Sequence, residues 1–257
     1  MNVRFFHRVL AQDGHGSLAG RGGDGGAHHH PMVVLAVHRA AGQTDAVNDQ
    51  AVRQFLGASP QGAKAGDPAT RTVPHPVEHR ASYRLEPTGA LLCKHVFIVP
   101  NGLNDLPRLG VRMTLASQLE NLTWFGLGPV ESYPDRKAGS IVGSFASTVA
   151  DQFFPYIVPQ EHGHHCDTRW LTLSDARGRG LQFQAEGANF GFNATHLPDE
   201  VLWPAKHVSE LKPDANVTLY LDAAHRGLGT GSCGPDTRPA YRIGPGTCRL
   251  AYWVFPV

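Results

Sequence analysis

The chain has 257 residues, 41% hydrophobic and 18% charged, with a formal net charge of +1. That length suits one soluble domain, or one domain with a tail, and the near-neutral charge argues against a nucleic-acid partner, which needs a basic face. No apolar run approaches the roughly 20 residues of a membrane span, and 19 prolines with 29 glycines favour a turn-rich β protein over a helical one.

The first ten residues, MNVRFFHRVL, set Arg4 and Arg8 among apolar residues, unlike the apolar stretch of a secretory signal. Cys93, Cys166, Cys233 and Cys248 show neither CxxC spacing nor a dense framework. Reduced thiols and a cytoplasmic location are therefore expected. Residues 1–76 are rich in Gly, Ala, His and Gln, and their only apolar run is 32–37. Such a segment buries too little surface to offset its ordering entropy, so it is expected to be mostly disordered, with a short helix around 45–56. The stretch GASPQGAK at 57–64 lacks the Gly-Lys-Ser/Thr ending of a phosphate loop.

From Val77 the texture changes. Strands are expected at 81–85 and 90–99, joined by a turn at Pro87, Thr88 and Gly89. Arg108–Leu115 alternates, with Val111, Met113 and Leu115 on one face and Arg112 and Thr114 on the other. Further strands are expected at 122–125, 169–174, 180–184, 216–221, 240–243 and 248–254. They are short and divided by Gly, Pro, Asn and Asp, the pattern of an all-β, antiparallel two-sheet sandwich.

Three irregular stretches carry the chemistry. The first, TWFGLGPVESYPDRKAG at 123–139, combines Gly126 and Gly128, which suit positive φ, with Pro129 and Pro134, which fix φ. It reads as a shaped loop leaving a strand, where binding residues tend to gather. The second is PYIVPQEHGHHCDTRW at 155–170. Glu131 and Asp135 in the first, or Glu161 and Asp167 in the second, could supply the facing carboxylates of a glycosidase. The neighbouring Arg136 and Arg169 favour structural ion pairs instead. His162, His164, His165 and Cys166 are zinc-type ligands, yet no second cluster completes a site, and a structural or surface role is the stronger reading. The third stretch, LDAAHRGLGTGSCGPDTRPAYR at 221–242, centres Cys233 in a glycine-rich loop. A nucleophilic thiol needs a base or positive field. His225 and Arg226 lie several residues upstream, so a small buried or pocket-lining cysteine is the better reading.

In order along the chain, GLGPVESYPDR, PYIVPQEHGHHCDTRWL and LDAAHRGLGTGSCGP resemble the C-terminal β-sandwich of bacterial β-galactosidases of glycoside hydrolase family 2. The same domain forms most of the small chain in two-subunit β-galactosidases. The resemblance covers about 77–257, with no counterpart identified for the first 76 residues. It implies a galactose-mutarotase-like supersandwich that supports hydrolysis of terminal β-D-galactosides when joined to a catalytic (β/α)8 chain. The family's catalytic glutamates, magnesium and sodium belong to that barrel, which needs roughly 250 residues of its own. The resemblance therefore implies no catalytic residue and no cofactor here, a large chain or barrel domain as partner, a galactoside as substrate, and neither nucleic acid nor membrane. Ser232, Cys233 and Gly234 are expected to border the shared pocket. Some members carry an aromatic residue there, and a thiol offers far less stacking surface. The alternatives are a free-standing carbohydrate-binding sandwich with a groove of Trp124, Tyr133 and Trp170, an inactive remnant of a truncated galactosidase, and a mutarotase-like epimerase opposing Glu161 with His164 or His165.

Overall fold

A computed structural model describes residues 77–230 and 234–257, together with three short strands, β1 (Arg4–Phe6), β2 (Val9–Leu10) and β3 (Val33–Val34). The rest of 1–76, including the expected helix at 45–56, lies outside the described residues. The remaining strands are β4 (Glu78–Leu85), β5 (Leu91–Val99), β6 (Arg108–Leu115), β7 (Asn121–Gly128), β8 (Ile141–Thr148), β9 (His165–Thr168), β10 (Trp170–Ser174), β11 (Gly180–Ala185), β12 (Phe190–Thr195), β13 (Val217–His225) and β14 (Gly246–Pro256). They form two seven-stranded antiparallel sheets. The first runs β3-β2-β6-β13-β12-β9, with β1 also on β6, and the second runs β4-β5-β14-β11-β10-β7-β8.

The expected sandwich is present. Alternation on β6 sends Val111, Met113 and Leu115 inward, where they meet Val217, Leu219 and Leu221 of β13 and Phe190 and Phe192 of β12. The second sheet contributes Phe97, Leu122, Trp124, Leu171, Phe183 and Tyr252 to the same core. Each large apolar side chain so buried contributes about 1.5–3 kcal/mol.

Several expectations change. β7 continues to Gly128, so the first part of 123–139 is strand, not loop. Neither Gly126 nor Gly128 has positive φ. Their missing Cβ atoms instead permit close approach: a Cβ would lie 2.8 Å from Thr168 Oγ1 at Gly126 and 2.7 Å from the Phe145 ring at Gly128. β8 escapes the sequence pattern because it is an edge strand with no fully buried side chain and hence no clean alternation. Residues 240–243 form no strand. Pro239 opens a 3-10 turn at Pro239–Tyr241, and Ile243 makes only an isolated bridge to Leu106.

The two edges of the second sheet differ. β4 is lined by Glu78, Arg80 and Arg84, with exposed Arg80–Glu78 and Arg84–Glu86 ion pairs. β8 opens with Ile141 and Val142, 66% and 50% exposed.

Close packing between β6 and β13 yields a direct test. A Cβ at Gly110 would overlap the Leu221 carbonyl and the Asp222 side chain, whereas one at Gly139 meets nothing within 4 Å. Urea unfolding should show Gly110→Ala losing about 3 kcal/mol, the upper end of overpacking costs, and Gly139→Ala staying within about 0.5 kcal/mol.

Candidate functional site

The site is built on the outer face of the first sheet. On β13, Val217, Leu219 and Leu221 point inward, so Thr218, Tyr220 and Asp222 point outward. Asp222 pairs with Gly110, but the next registered pair is Ala224 with Leu109. This β-bulge reverses the alternation and returns His225, opposite Arg108, to the outer face. Asp222 is flanked across the sheet by Gly110 on β6 and Gly191 on β12. The two glycines leave a trough: a Cβ on Gly191 would lie 2.6 Å from His164 Cε1.

Arg108 occupies that trough. Its Nη2 donates to Asp222 Oδ2 at 2.8 Å, its Nη1 lies 3.7 Å from Glu161 Oε2, and its guanidinium sits 4.3 Å from the Tyr220 ring centre. Glu161 Oε1 also meets His225 Nε2 at 3.6 Å, the Tyr133 hydroxyl at 3.4 Å and the Asn193 amide at 3.4 Å. Arg108 and Asp222 are buried, while a quarter of the Glu161 side chain reaches solvent. Burial opposes the charge on both carboxylates. Arg108 together with His164 at Asp222, and Arg108 together with His225 and His164 at Glu161, outweigh it and hold both below the ordinary carboxylate range. Removing one member of such a buried pair costs about 3–5 kcal/mol, because the other charge is stranded.

The first two irregular stretches are tied together at Ser132. Its backbone N–H donates to the His164 carbonyl (2.7 Å), its hydroxyl accepts from Cys166 N–H (2.9 Å), and its carbonyl accepts from His164 Nδ1 (2.9 Å). His164 Nε2 lies 3.5 Å from Asp222. Burial, then the neighbouring His225, lower the His164 pKa despite that carboxylate. Tyr133 stacks on His164 and sets its edge against His225, each with ring centres 5.3 Å apart. Glu131 accepts from Gly163 N–H at 2.7 Å and from the Tyr156 hydroxyl.

The glycine-rich stretch is braced from both sides. Asp135 accepts from the N–H groups of Leu228 (3.0 Å) and Gly229 (2.8 Å), and Arg136 donates to the Gly229 carbonyl (2.7 Å). Gly227 permits this approach, since a Cβ there would lie 2.6 Å from Asp135 Cγ. Arg226 forks onto Asp105 (2.5 and 2.9 Å) and Asp236 (2.9 and 3.0 Å). Thr230 donates through its backbone and its hydroxyl to the Pro235 carbonyl, at 3.1 and 2.9 Å, and closes the loop. Gly234 packs against Thr230. Ser232 and Cys233 lie outside the described residues.

The carboxylates of Glu131, Asp135, Glu161 and Asp167 are all structural, but not through the expected partners. Asp135 binds backbone amides rather than Arg136. Asp167 pairs with Lys137 at 2.8 Å, while Arg169 donates to the Asp167 carbonyl. The histidine cluster is split by the sheet. His164 faces the trough, whereas His165 enters the core between Trp124 and Phe192, at 4.5 and 4.9 Å between ring centres. All four members of the cluster are buried, which removes a surface role. Burial raises the Cys166 thiol to about 11, unsuited to a nucleophile. Among the described residues no group of three or more His, Cys, Asp or Glu is placed to hold a metal.

Trp124 and Tyr133 are each 1% exposed, so neither lines a groove with Trp170. The expected epimerase pair is not formed: His164 turns to Asp222 and His165 into the core, while Glu161 is engaged by Arg108 and His225. That geometry does not support an epimerase. Sequence reasoning missed Arg108, Ser132 and Asp222, and it weighed Arg226 only as a neighbour of Cys233, whereas its guanidinium grips Asp105 and Asp236. The available signal was Asp222, a carboxylate closing the uncharged strand segment VTLYL.

Two tests follow from this geometry. Burial and His164 hold the His165 pKa near 3, against the Leu127 carbonyl, while an unfolded histidine titrates near 6.5. Between those values the unfolded chain binds the extra proton, so stability is complete above about pH 6.5 and falls as pH drops. Urea titrations should show a loss of about 1.4 kcal/mol per pH unit per such histidine between pH 6 and 5, with His165→Gln removing one histidine's share. Asp135→Ala should speed amide exchange at Leu228 and Gly229 at least tenfold, with the core strands unchanged.

Comparison with known proteins fits these motifs. The family model described as β-galactosidase small chain matches residues 26–254, reaching upstream of Val77. The β-galactosidase of Arthrobacter sp. (strain B7) is 35% identical over 197 residues, 74% of this chain and 19% of the relative. That of Staphylococcus xylosus is 36% identical over 138 residues (54% and 14%), and that of Vibrio cholerae 38% over 127 residues (49% and 12%). The chain thus spans less than a fifth of the length of these curated relatives. It belongs to the β-galactosidase small-chain family.

Proposed function

We propose that the chain acts as the small chain, or the C-terminal part, of a β-galactosidase. It supports release of terminal non-reducing β-D-galactose from β-D-galactosides once assembled with a catalytic chain. The observation that carries this reading is the coverage: the family match takes in residues 26–254, yet the aligned part is 19% of the Arthrobacter relative. The chemistry agrees. A retaining glycosidase needs two carboxyl groups about 5–5.5 Å apart flanking the scissile bond, and Glu131, Asp135, Glu161 and Asp167 are each engaged by internal partners.

In this reading the glycine-rich loop carrying Ser232, Cys233 and Gly234 borders the shared pocket. The braces from Asp135, Arg136 and Arg226 support it, since a contact made from a locked stem keeps its position. A cytoplasmic location belongs to the same proposal. Free Cys93, Cys166 and Cys248 suit a reducing compartment, and no helix of the described residues is long and apolar enough to cross a membrane.

The purified chain should hydrolyse a nitrophenyl β-D-galactoside at no more than the buffer rate, with turnover arising only when a catalytic galactosidase chain is added. Turnover by the lone chain at the rate of a complete enzyme would overturn the proposal.

A further inference from the structure

Half of the large exposed hydrophobic side chains among the described residues fall in one part of the fold: Val130 (64%), Ile141 (66%), Val142 (50%), Phe154 (54%), Ile157 (92%) and Val158 (48%). They come from two neighbouring elements. Ile141 and Val142 open edge strand β8 opposite Gly128 and Leu127, two or three residues from Val130, and as successive strand residues they cover the two sides of that margin. Phe154, Ile157 and Val158 lie in the segment between the 3-10 turn Ala150–Gln152 and Glu161. Glu131 joins the two by accepting from the Tyr156 hydroxyl and from Gly163 N–H.

The segment is held outward. Phe153 sets its ring edge against His162, with ring centres 5.2 Å apart, and Tyr156 is tied to Glu131. These two anchors fix the backbone while Phe154 and Ile157 point to solvent. An apolar patch this concentrated marks an interaction surface.

The structure assigns this patch as the docking face for the catalytic part of a β-galactosidase, an inference that rests on the small-chain reading above. Two observations choose that occupant. The aligned part of the Arthrobacter relative is 19% of its length, so a polypeptide several times larger has to meet this chain somewhere. The patch is also continuous with the glycine-rich stem: within six residues the chain passes from Val130 in the patch to Asp135, which grips Leu228 and Gly229. A partner seated at Val130 therefore engages the same short segment that grips the braced loop. At the far edge of the second sheet, β4, the exposed Tyr83 and Leu85 are interspersed with Glu78, Arg80 and Arg84, so charge interrupts the apolar side chains there.

The test adds the full chain in trans to the Arthrobacter sp. (strain B7) β-galactosidase shortened by the segment that this chain matches. Three forms are compared: the unaltered chain, the doubly substituted Phe154→Ser with Ile157→Asp, and a control, Leu85→Asp, at the β4 edge. Sedimentation gives affinity and self-association, amide exchange gives the footprint, and thermal unfolding verifies that each form is folded. Docking through the patch predicts at least tenfold weaker binding for the double variant, unchanged binding for the control, and exchange protection of 153–158 in the unaltered chain. Equal binding by the unaltered and double-variant chains overturns the docking face and leaves the small-chain reading standing. Failure of the unaltered chain to bind removes both. Self-association that the double variant abolishes would instead assign the patch to a second copy.

Discussion

The Arg108 guanidinium, shared between Asp222 and Glu161, is the constraint around which the outer face of the first sheet is arranged. A cation taken out of water has to be matched by anions at close range. The strands bend to that requirement. Gly110 and Gly191 give up side chains to admit the Asp222 carboxylate and the His164 ring, and the bulge after Asp222 turns His225 toward Glu161. Because Glu161 belongs to the segment leading into β9, the same charge also fixes where that segment crosses the sheet.

Order then passes outward through hydrogen bonds rather than apolar burial. Ser132 ties the stretch after β7 to His164 and Cys166, and Asp135 carries the restraint to Leu228 and Gly229. Segments that lack strand pairing thus obtain fixed positions from backbone amides gripped by buried or half-buried side chains. Pre-organisation of this kind lowers the entropy lost when a second surface closes over the loops.

The sandwich was legible because its core strands alternate cleanly. Arg108–Leu115 matches the expected span residue for residue, and the inward set Val111, Met113 and Leu115 is the one observed. β12 was illegible because it is buried on both faces: Phe190 and Phe192 look inward while Gly191 and Asn193 support the trough. The three irregular stretches identified the family, yet their internal pairing could not be read. Asp135 and Leu228 are 93 residues apart, and only the fold brings them together. Local proximity misled for the same reason, since Asp135 is adjacent to Arg136 and Asp167 is two residues from Arg169, yet both carboxylates bind elsewhere.

The unequal edges of the second sheet bear on the chain's colloidal behaviour. Strands left at a sheet margin offer unpaired N–H and C=O groups that template pairing with other chains, and charged side chains are the usual defence. β4 has that defence in Glu78, Arg80 and Arg84, whereas β8 begins with Ile141 and Val142 facing solvent. Of the second sheet's two margins, β4 mixes charge with the exposed Tyr83 and Leu85, and β8 opens on two apolar side chains with no charge beside them. Covering β8 therefore removes the less protected of these two margins, a gain in resistance to aggregation that owes nothing to how well the core is packed.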